Sequence, residues 1–229
     1  MHLILLPGMD GTGDLFDPIL PFFSGKLTAQ VVRYPNDRVV NLAALVQHVL
    51  RELPATEPFV LLGESFSGLI AISVAASNPP NLAGVILCAS FARAPMPRLA
   101  RLAATVPALL LMLARQPFAW RLLLGRSAVT IVDLLMISAM RKLSPEVLSA
   151  RLQDVSIADV TSQLAEIRVP MLYLKASRDQ FVPRTASELV CAINPDVEVR
   201  KIDGPHFLLQ VSPQESAERI LSFCFGLTR

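Results

Sequence analysis

The sequence predicts an α/β fold: a small, mainly parallel sheet of about six strands with an inserted helical cap. Three observations carry that prediction. Short apolar runs bounded by turn residues recur along the chain, helical patterns separate most of them, and one long stretch rich in Leu, Met and Ala holds helical patterns with no strand between them. Strands covered on both faces read as near-continuous apolar runs, and these do.

The first run, Leu3 to Leu6, ends at Pro7-Gly8, and the second, Gln30 to Tyr34, at Pro35-Asn36-Asp37. Phe59 to Leu62 stops at Gly63, and Gly84 to Ala89 is rich in Val, Ile and Leu. Pro170 to Lys175 opens on a proline, and Val197 to Ile202 precedes Asp203-Gly204-Pro205. The first helix, Asn41 to Leu53, has an Asn N-cap and carries Leu42, Leu45, Val46, Val49 and Leu50 at three- and four-residue spacing. Phe66 to Ala76 is small and apolar and stops before Pro79-Pro80. Arg184 to Ala192 and Pro213 to Phe225 follow, the latter started by Ser212, Pro213 and Glu215. Residues 95–167 break the alternation and read as three or four helices. An insertion between consecutive strands must sit at one edge or end of a sheet. Residues 1–94 and 168–229 are therefore assigned to the core and 95–167 to the cap.

Composition narrows the functional classes. Among 229 residues, 21 Lys and Arg stand against 19 Asp and Glu, and this near balance argues against a nucleic-acid partner. A hydrophobic fraction of 52% with only 17% charged residues excludes a disordered chain and leaves little polar cover. An apolar cleft or contact surface is expected, and an exposed apolar cap would pair two chains as a homodimer. The opening Met1 to Gly8 has no basic leader, and uncharged stretches such as Leu102 to Ala114 fall short of a bilayer span, so no targeting or transmembrane segment is expected. Cys88, Cys191 and Cys224 are not spaced for a metal and read as small buried hydrophobes in a reducing cytoplasm. No cofactor and no metal are expected.

The most informative stretch is Phe59-Val60-Leu61-Leu62-Gly63-Glu64-Ser65-Phe66-Ser67-Gly68. A buried strand runs into an apolar helix through a tight turn with Ser65 at its tip, the context of a nucleophile elbow. Residues close to such a turn must be small where strand and helix meet, and Gly63, Ser67 and Gly68 are. The strict Gly-x-Ser-x-Gly pattern wants Gly at the position of Ser67. A serine needs an adjacent general base. Of the three histidines, His2 is terminal and His48 lies in an amphipathic helix, whereas His206 follows the last strand in a Gly-Pro loop. The base in turn needs a carboxylate. Asp179, in the loop after Pro170 to Lys175, is the best candidate, and it gives the chain order Ser65, Asp179, His206. Asp203 stays open as an alternative, crowded by its tight turn with His206. Oxyanion stabilisation needs two amides. One is that of Phe66; the other should come from Leu6-Pro7-Gly8-Met9-Asp10-Gly11-Thr12-Gly13, which lacks the Lys-Ser/Thr ending of a phosphate-binding loop.

These residues resemble the α/β-hydrolase superfamily over nearly the whole chain. The best-marked points are the elbow at Ser65, the Asp179-Gln180-Phe181-Val182-Pro183 turn and the Gly204-Pro205-His206 turn. The opening loop and Gly-Glu-Ser-Phe-Ser-Gly look like those of short bacterial hydrolases and of the hydrolase-like half of plastid phytyl ester synthases. The resemblance implies that Met9 carries the second oxyanion amide. It also implies that the chain begins at the family's third strand, without the first hairpin. Two departures stand out: Pro7 where many members have His, and Ser67 for Gly. The implied function is a cofactor-free serine hydrolase acting on a small apolar ester or acyl substrate, with Leu109 to Met140 lining the pocket. An acyltransferase or thioesterase would use the same acyl-enzyme, and a non-catalytic binder on the same scaffold is the alternative of another class.

Overall fold

The computed structural model describes residues 1–95 and 130–227. Six strands form one parallel sheet in the order β2-β1-β3-β4-β5-β6. They are β1 (His2–Leu6), β2 (Thr28–Val31), β3 (Phe59–Glu64), β4 (Leu82–Cys88), β5 (Met171–Ala176) and β6 (Glu198–Ile202). The helices are α1 (Leu42–Glu52), α2 (Ser67–Ala76), α3 (Thr130–Lys142), α4 (Pro145–Ile157), α5 (Thr161–Glu166), α6 (Arg184–Ile193), the short α7 (Leu208–Val211) and α8 (Pro213–Gly226).

Strand geometry sends alternate residues to opposite faces, so the apolar runs feed two cores at once. Ile4, Leu6, Leu61, Val85, Leu87 and Tyr173 join the core beneath α1, α2, α5 and α6. Leu3, Leu5, Val60, Leu62, Ile86 and Leu174 join the one on the other face, with Ile220 and Leu221 of α8. Helix α2 is buried at eight of its ten residues, which is why its sequence is apolar all round rather than amphipathic. Asn41 caps α1 as its sequence predicts, its side-chain oxygen accepting from Ala44 N at 2.8 Å.

The structure corrects two readings. The second strand covers Thr28–Val31, not Gln30 to Tyr34, because the chain leaves the sheet edge early. Val32 N still donates to Leu5 O at 3.0 Å, but Tyr34 N donates to Gly11 O at 2.9 Å and so pairs with a loop. Val32 and Tyr34 remain buried, which explains the apolar run. Ser212 makes no capping bond to α8; its hydroxyl donates to Asp203 O at 3.3 Å instead. The crossover from β1 to β2, in which no element was expected, uses short 3-10 helices at Asp14–Phe16 and Leu20–Phe23. Cys88 and Cys224 are buried and Cys191 is half-buried.

The described residues between β4 and β5 that lie beyond 129 form α3, α4 and α5. Met136, Met140, Leu143, Val147 and Leu148 pack with Leu15 and, at the carboxyl end of the sheet, with Met9, Phe207 and Val211. Residues 96–129, which include most of the stretch assigned to pocket lining, lie outside the described residues. Among the described residues, no helix is long and apolar enough to cross a membrane.

Candidate active site

The chain lays down β1, moves outward to β2, then returns past β1 to place β3 on its other side. Winding therefore reverses between β1 and β3. Loops leaving their carboxyl ends diverge to opposite faces there and open a crevice, the usual ligand position in such sheets. The two loops that flank this reversal are Pro7 to Gly13 and the turn at Ser65.

Ser65 has a positive φ of 51°, a conformation that an L-residue holds only when its surroundings impose it. Ser65 N donates to Cys88 O at 2.9 Å, and Ser65 O accepts from Gly68 N at 3.1 Å and from Ser90 Oγ at 2.6 Å. Small neighbours are a steric necessity. A Cβ on Gly63 would sit 2.5 Å from Ser67 O and 2.8 Å from Ala71 Cβ, and one on Gly68 would overlap Ser90 Oγ. Gly63→Ala is therefore expected to destabilise the fold by about 1–3 kcal/mol, since the obstruction includes helix backbone that cannot rotate away. Thermal unfolding of the purified variant measures it, and an unchanged midpoint would contradict the packing described.

The loop after β6 brings His206 over this turn. His206 Nε2 lies 2.8 Å from Ser65 Oγ, and His206 Nδ1 lies 2.8 Å from Asp179 Oδ2. The imidazole and carboxylate side chains are only 7% and 8% exposed. A carboxylate only accepts, so Nδ1 carries the proton and Nε2 presents its lone pair to the serine hydroxyl. The other Asp179 oxygen, Oδ1, accepts from Phe181 N at 2.9 Å and Val182 N at 2.8 Å, which fixes the carboxylate plane. Phe181 and Phe207 flank the imidazole, with ring centroids 5.0 and 5.2 Å away. The loops after β5 and β6 are themselves tied together: Arg178 N donates to Gly204 O at 3.0 Å, and Gly204 N donates to Ser177 Oγ at 3.1 Å. Of the two carboxylates left open by the sequence, Asp179 is the one that the structure brings to the His206 ring. Asp203 is exposed and bonded instead to Ser177 Oγ at 2.6 Å and Arg178 Nη1 at 3.3 Å. His48 faces Arg33 O at 2.9 Å and His2 pairs with Glu57.

Phe66 directly follows Ser65 and leads into α2, so its amide belongs to the helix N-terminal end. The loop after β1 approaches from the opposite side: a Cβ on Gly8 would lie 3.9 Å from Ser65 Cβ. Met9 follows Gly8 in this loop, half-buried. Gly11 N donates to Gly8 O at 3.1 Å, which turns the loop, and Gly11 itself holds a φ of 67°.

Sequence reasoning missed the polar shell beneath the loop. Ser67 Oγ donates to Pro7 O and lies 2.8 Å from Tyr34 Oη. Arg151 of α4, 1% exposed, donates to Met9 O at 2.7 Å, Pro35 O at 2.9 Å and Asn36 Oδ1 at 3.1 Å. Glu64, next to the serine, is buried and accepts from Gln210 Nε2 at 3.0 Å. Burial pushes its carboxyl up to about 8, with Asp10 adding to the shift and the Gln210 bond opposing it. In the sequence, Glu64 is marked as an x-position of the motif, Ser67 as the residue in place of its last Gly, and Arg151 as a lone Arg in a helical pattern. Among the described residues, no group of three or more His, Cys, Asp or Glu side chains is placed to hold a metal.

Known proteins share this framework. MenH from S. aureus superposes with a TM-score of 0.83 at 19% identity, over 100% of this chain and 95% of that one. The enol-lactonase from Burkholderia xenovorans LB400 gives 0.79 at 16% identity, over 98% and 91%. At such identities the likeness establishes the fold. A protein described as a carbamate hydrolase, RutD from Azorhizobium caulinodans, is 35% identical over 75 residues, which is 32% of this chain and only 28% of that relative. A model of the serine aminopeptidase S33 hydrolase family matches residues 28–205, most of the chain, and the protein accordingly belongs to that family within the α/β-hydrolase superfamily.

Proposed function

We propose that the protein is a serine hydrolase that cleaves carboxylic esters of apolar acids or alcohols through an acyl-enzyme. The observation that carries this reading is the pair of 2.8 Å contacts joining Ser65 Oγ, the His206 imidazole and Asp179 in one line. Ser65 attacks the carbonyl while His206 Nε2 takes its proton. Asp179 holds the tautomer and offsets the charge of the imidazolium. The negative charge on the carbonyl oxygen is met by the Phe66 and Met9 amides; one such donor is worth about 3 kcal/mol in the transition state. His206 then returns the proton to the leaving alcohol. Water, activated by the same imidazole, releases the acid. The enol-lactonase and the carbamate hydrolase named above bear names that fit attack on a carbonyl, which supports the reaction type and leaves the ester class to experiment.

Met136, Met140 and Leu148, which pack with Met9 and Phe207 at this end of the sheet, support an apolar substrate. Methionine-rich walls adapt to unbranched chains. A panel of p-nitrophenyl esters of increasing acyl length, with fluorophosphonate labelling in parallel, tests the proposal. Turnover that rises with chain length beyond acetate, and labelling lost in Ser65→Ala, are expected. Absence of both turnover and labelling would refute the reading, and adding a competing alcohol separates hydrolysis from acyl transfer by the products formed.

A further inference from the structure

The two places where the sequence departs from the hydrolase pattern, Pro7 and Ser67, touch each other: the Ser67 hydroxyl donates to the Pro7 carbonyl. That contact has a counterpart on the other side of the same loop, where Arg151 Nη1 donates to Met9 O at 2.7 Å. The Met9 N–H belongs to the peptide unit between Gly8 and Met9. One bond holds the peptide unit before it, and the other holds the one after it. We infer that Ser67 and Arg151 are positioning residues that clamp the loop on both sides of the Met9 amide and aim it at the substrate oxyanion. The inference rests on the acyl-transfer reading above.

The need for a clamp lies in Gly8. Glycine is the least restrained residue, and the peptide unit that carries the Met9 amide is itself held by the bond from Gly11 N to Gly8 O at 3.1 Å, so the flanking holds limit its rotation. The two holds are also mutually braced. Ser67 has one hydroxyl proton and directs it to Pro7 O, so in the 2.8 Å contact with Tyr34 the phenol is the donor. Burial drives the Tyr34 phenol well above its ordinary pKa, which keeps that proton in place. The Arg151 guanidinium lies 5.7 Å from the centre of the Tyr34 ring, so both clamps lean on one side chain. The loop is moulded around the guanidinium: a Cβ on Gly11 would fall 2.5 Å from Arg151 Nη1. The guanidinium bonds to neutral oxygens at Met9, Pro35 and Asn36, and the charges of Asp10, next to Met9, and of Asp154 on α4 offset part of the cost of burying it. Its bond to Met9 O at 2.7 Å fastens that buried group to the peptide unit after the Met9 amide. Arg151 is carried by α4, so the helical segment between β4 and β5 is tied to the oxyanion loop through it.

The test compares Ser67→Ala, Ser67→Gly and Arg151→Ala with the wild type on one p-nitrophenyl ester, with thermal midpoints measured alongside. A misaimed donor lowers kcat and leaves ground-state binding alone, so each variant should lose about 10- to 100-fold in kcat with KM within about twofold. Fluorophosphonate labelling should slow in parallel. Guanidinium ion, well below denaturing concentrations, should restore part of the kcat of Arg151→Ala, and sodium at equal ionic strength should not. Folded variants with wild-type kcat would overturn the clamp. So would losses confined to KM, or losses that follow the unfolded fraction and resist guanidinium. Should Arg151→Ala fail to fold, the two Ser67 variants decide by the same kcat and KM criteria. A wild type that neither turns over ester nor labels would instead refute the acyl-transfer reading, and the clamp with it.

Discussion

Ser65→Ala is expected to lower ester turnover by at least about 10⁴-fold while leaving the unfolding free energy within about 1 kcal/mol of the wild type. The asymmetry follows from what the hydroxyl does. In the resting protein it makes one polar contact, with His206 Nε2. In the reaction it is the atom that forms the new bond. Ala keeps the same backbone conformation, with its φ of 51°, so strain at the turn is unchanged. His206→Ala should cost a comparable factor, and the double variant little more than either single one, because serine and base act as a unit. Asp179→Asn should also fall steeply, by about 10⁴-fold. Its Oδ1 would still accept from Phe181 N and Val182 N, which turns the new amide group toward His206 Nδ1. That forces the proton onto Nε2, and the lone pair facing Ser65 is lost. Steady-state kinetics on one p-nitrophenyl ester measure all four variants. Ser65→Ala with undiminished turnover, or a double variant whose losses multiply, would rule out a serine–histidine unit.

Most of the sheet was legible because burial on both faces leaves a simple signature. Phe59 to Leu62 and Gly84 to Ala89 are apolar at nearly every position, and the strands built on them run two residues further or start two residues earlier. The second strand was misplaced for the converse reason. Val32 and Tyr34 are as buried as strand residues, but what ends a strand is the backbone partner, and Tyr34 N turns to Gly11 O. The line of Ser65, Asp179 and His206 was readable because each follows a strand, and parallel strands end on one side of the sheet. Between Asp179 and Asp203, chain position alone did not decide. In the structure Asp179 is the carboxylate that meets His206, held by two backbone amides with Phe181 beside the ring. Arg151 was invisible because its meaning is a contact across 142 residues. Ser67 read only as a small residue in place of Gly, because the carbonyl that its hydroxyl meets lies 60 residues away in the chain.

Glu64 leads to a prediction of a different kind, on stability as well as rate. Its carboxyl lies in the core beside Ser65, with one oxygen accepting from Gln210 Nε2 at 3.0 Å. Gln210 also donates to Leu15 O at 3.0 Å, so it has no second donor to spare for this oxygen. Gln210, the Cys88 thiol and, by charge, Asp10 face the carboxyl; burial and Asp10 hold it protonated up to about 8, against an ordinary 4.5. In the unfolded chain it ionises near its ordinary value. Between those limits the native state binds the extra proton, so stability falls as pH rises from about 4.5 to about 8 and levels off above. Glu64→Gln keeps the shape and removes the titration. Relative to wild type, its thermal midpoint should rise steadily between pH 5 and pH 8, by roughly 5–15 °C in total. Activity should separate in the same window. In the proposed reaction an ionised Glu64 places negative charge beside Ser65, close to where the substrate carbonyl oxygen becomes an oxyanion, and that disfavours the transition state. Wild-type kcat/KM should therefore decline above about pH 8, while Glu64→Gln holds its plateau. Coincident pH profiles for the two proteins, in melting and in rate, would mean that Glu64 is not the buried acid that the geometry makes it.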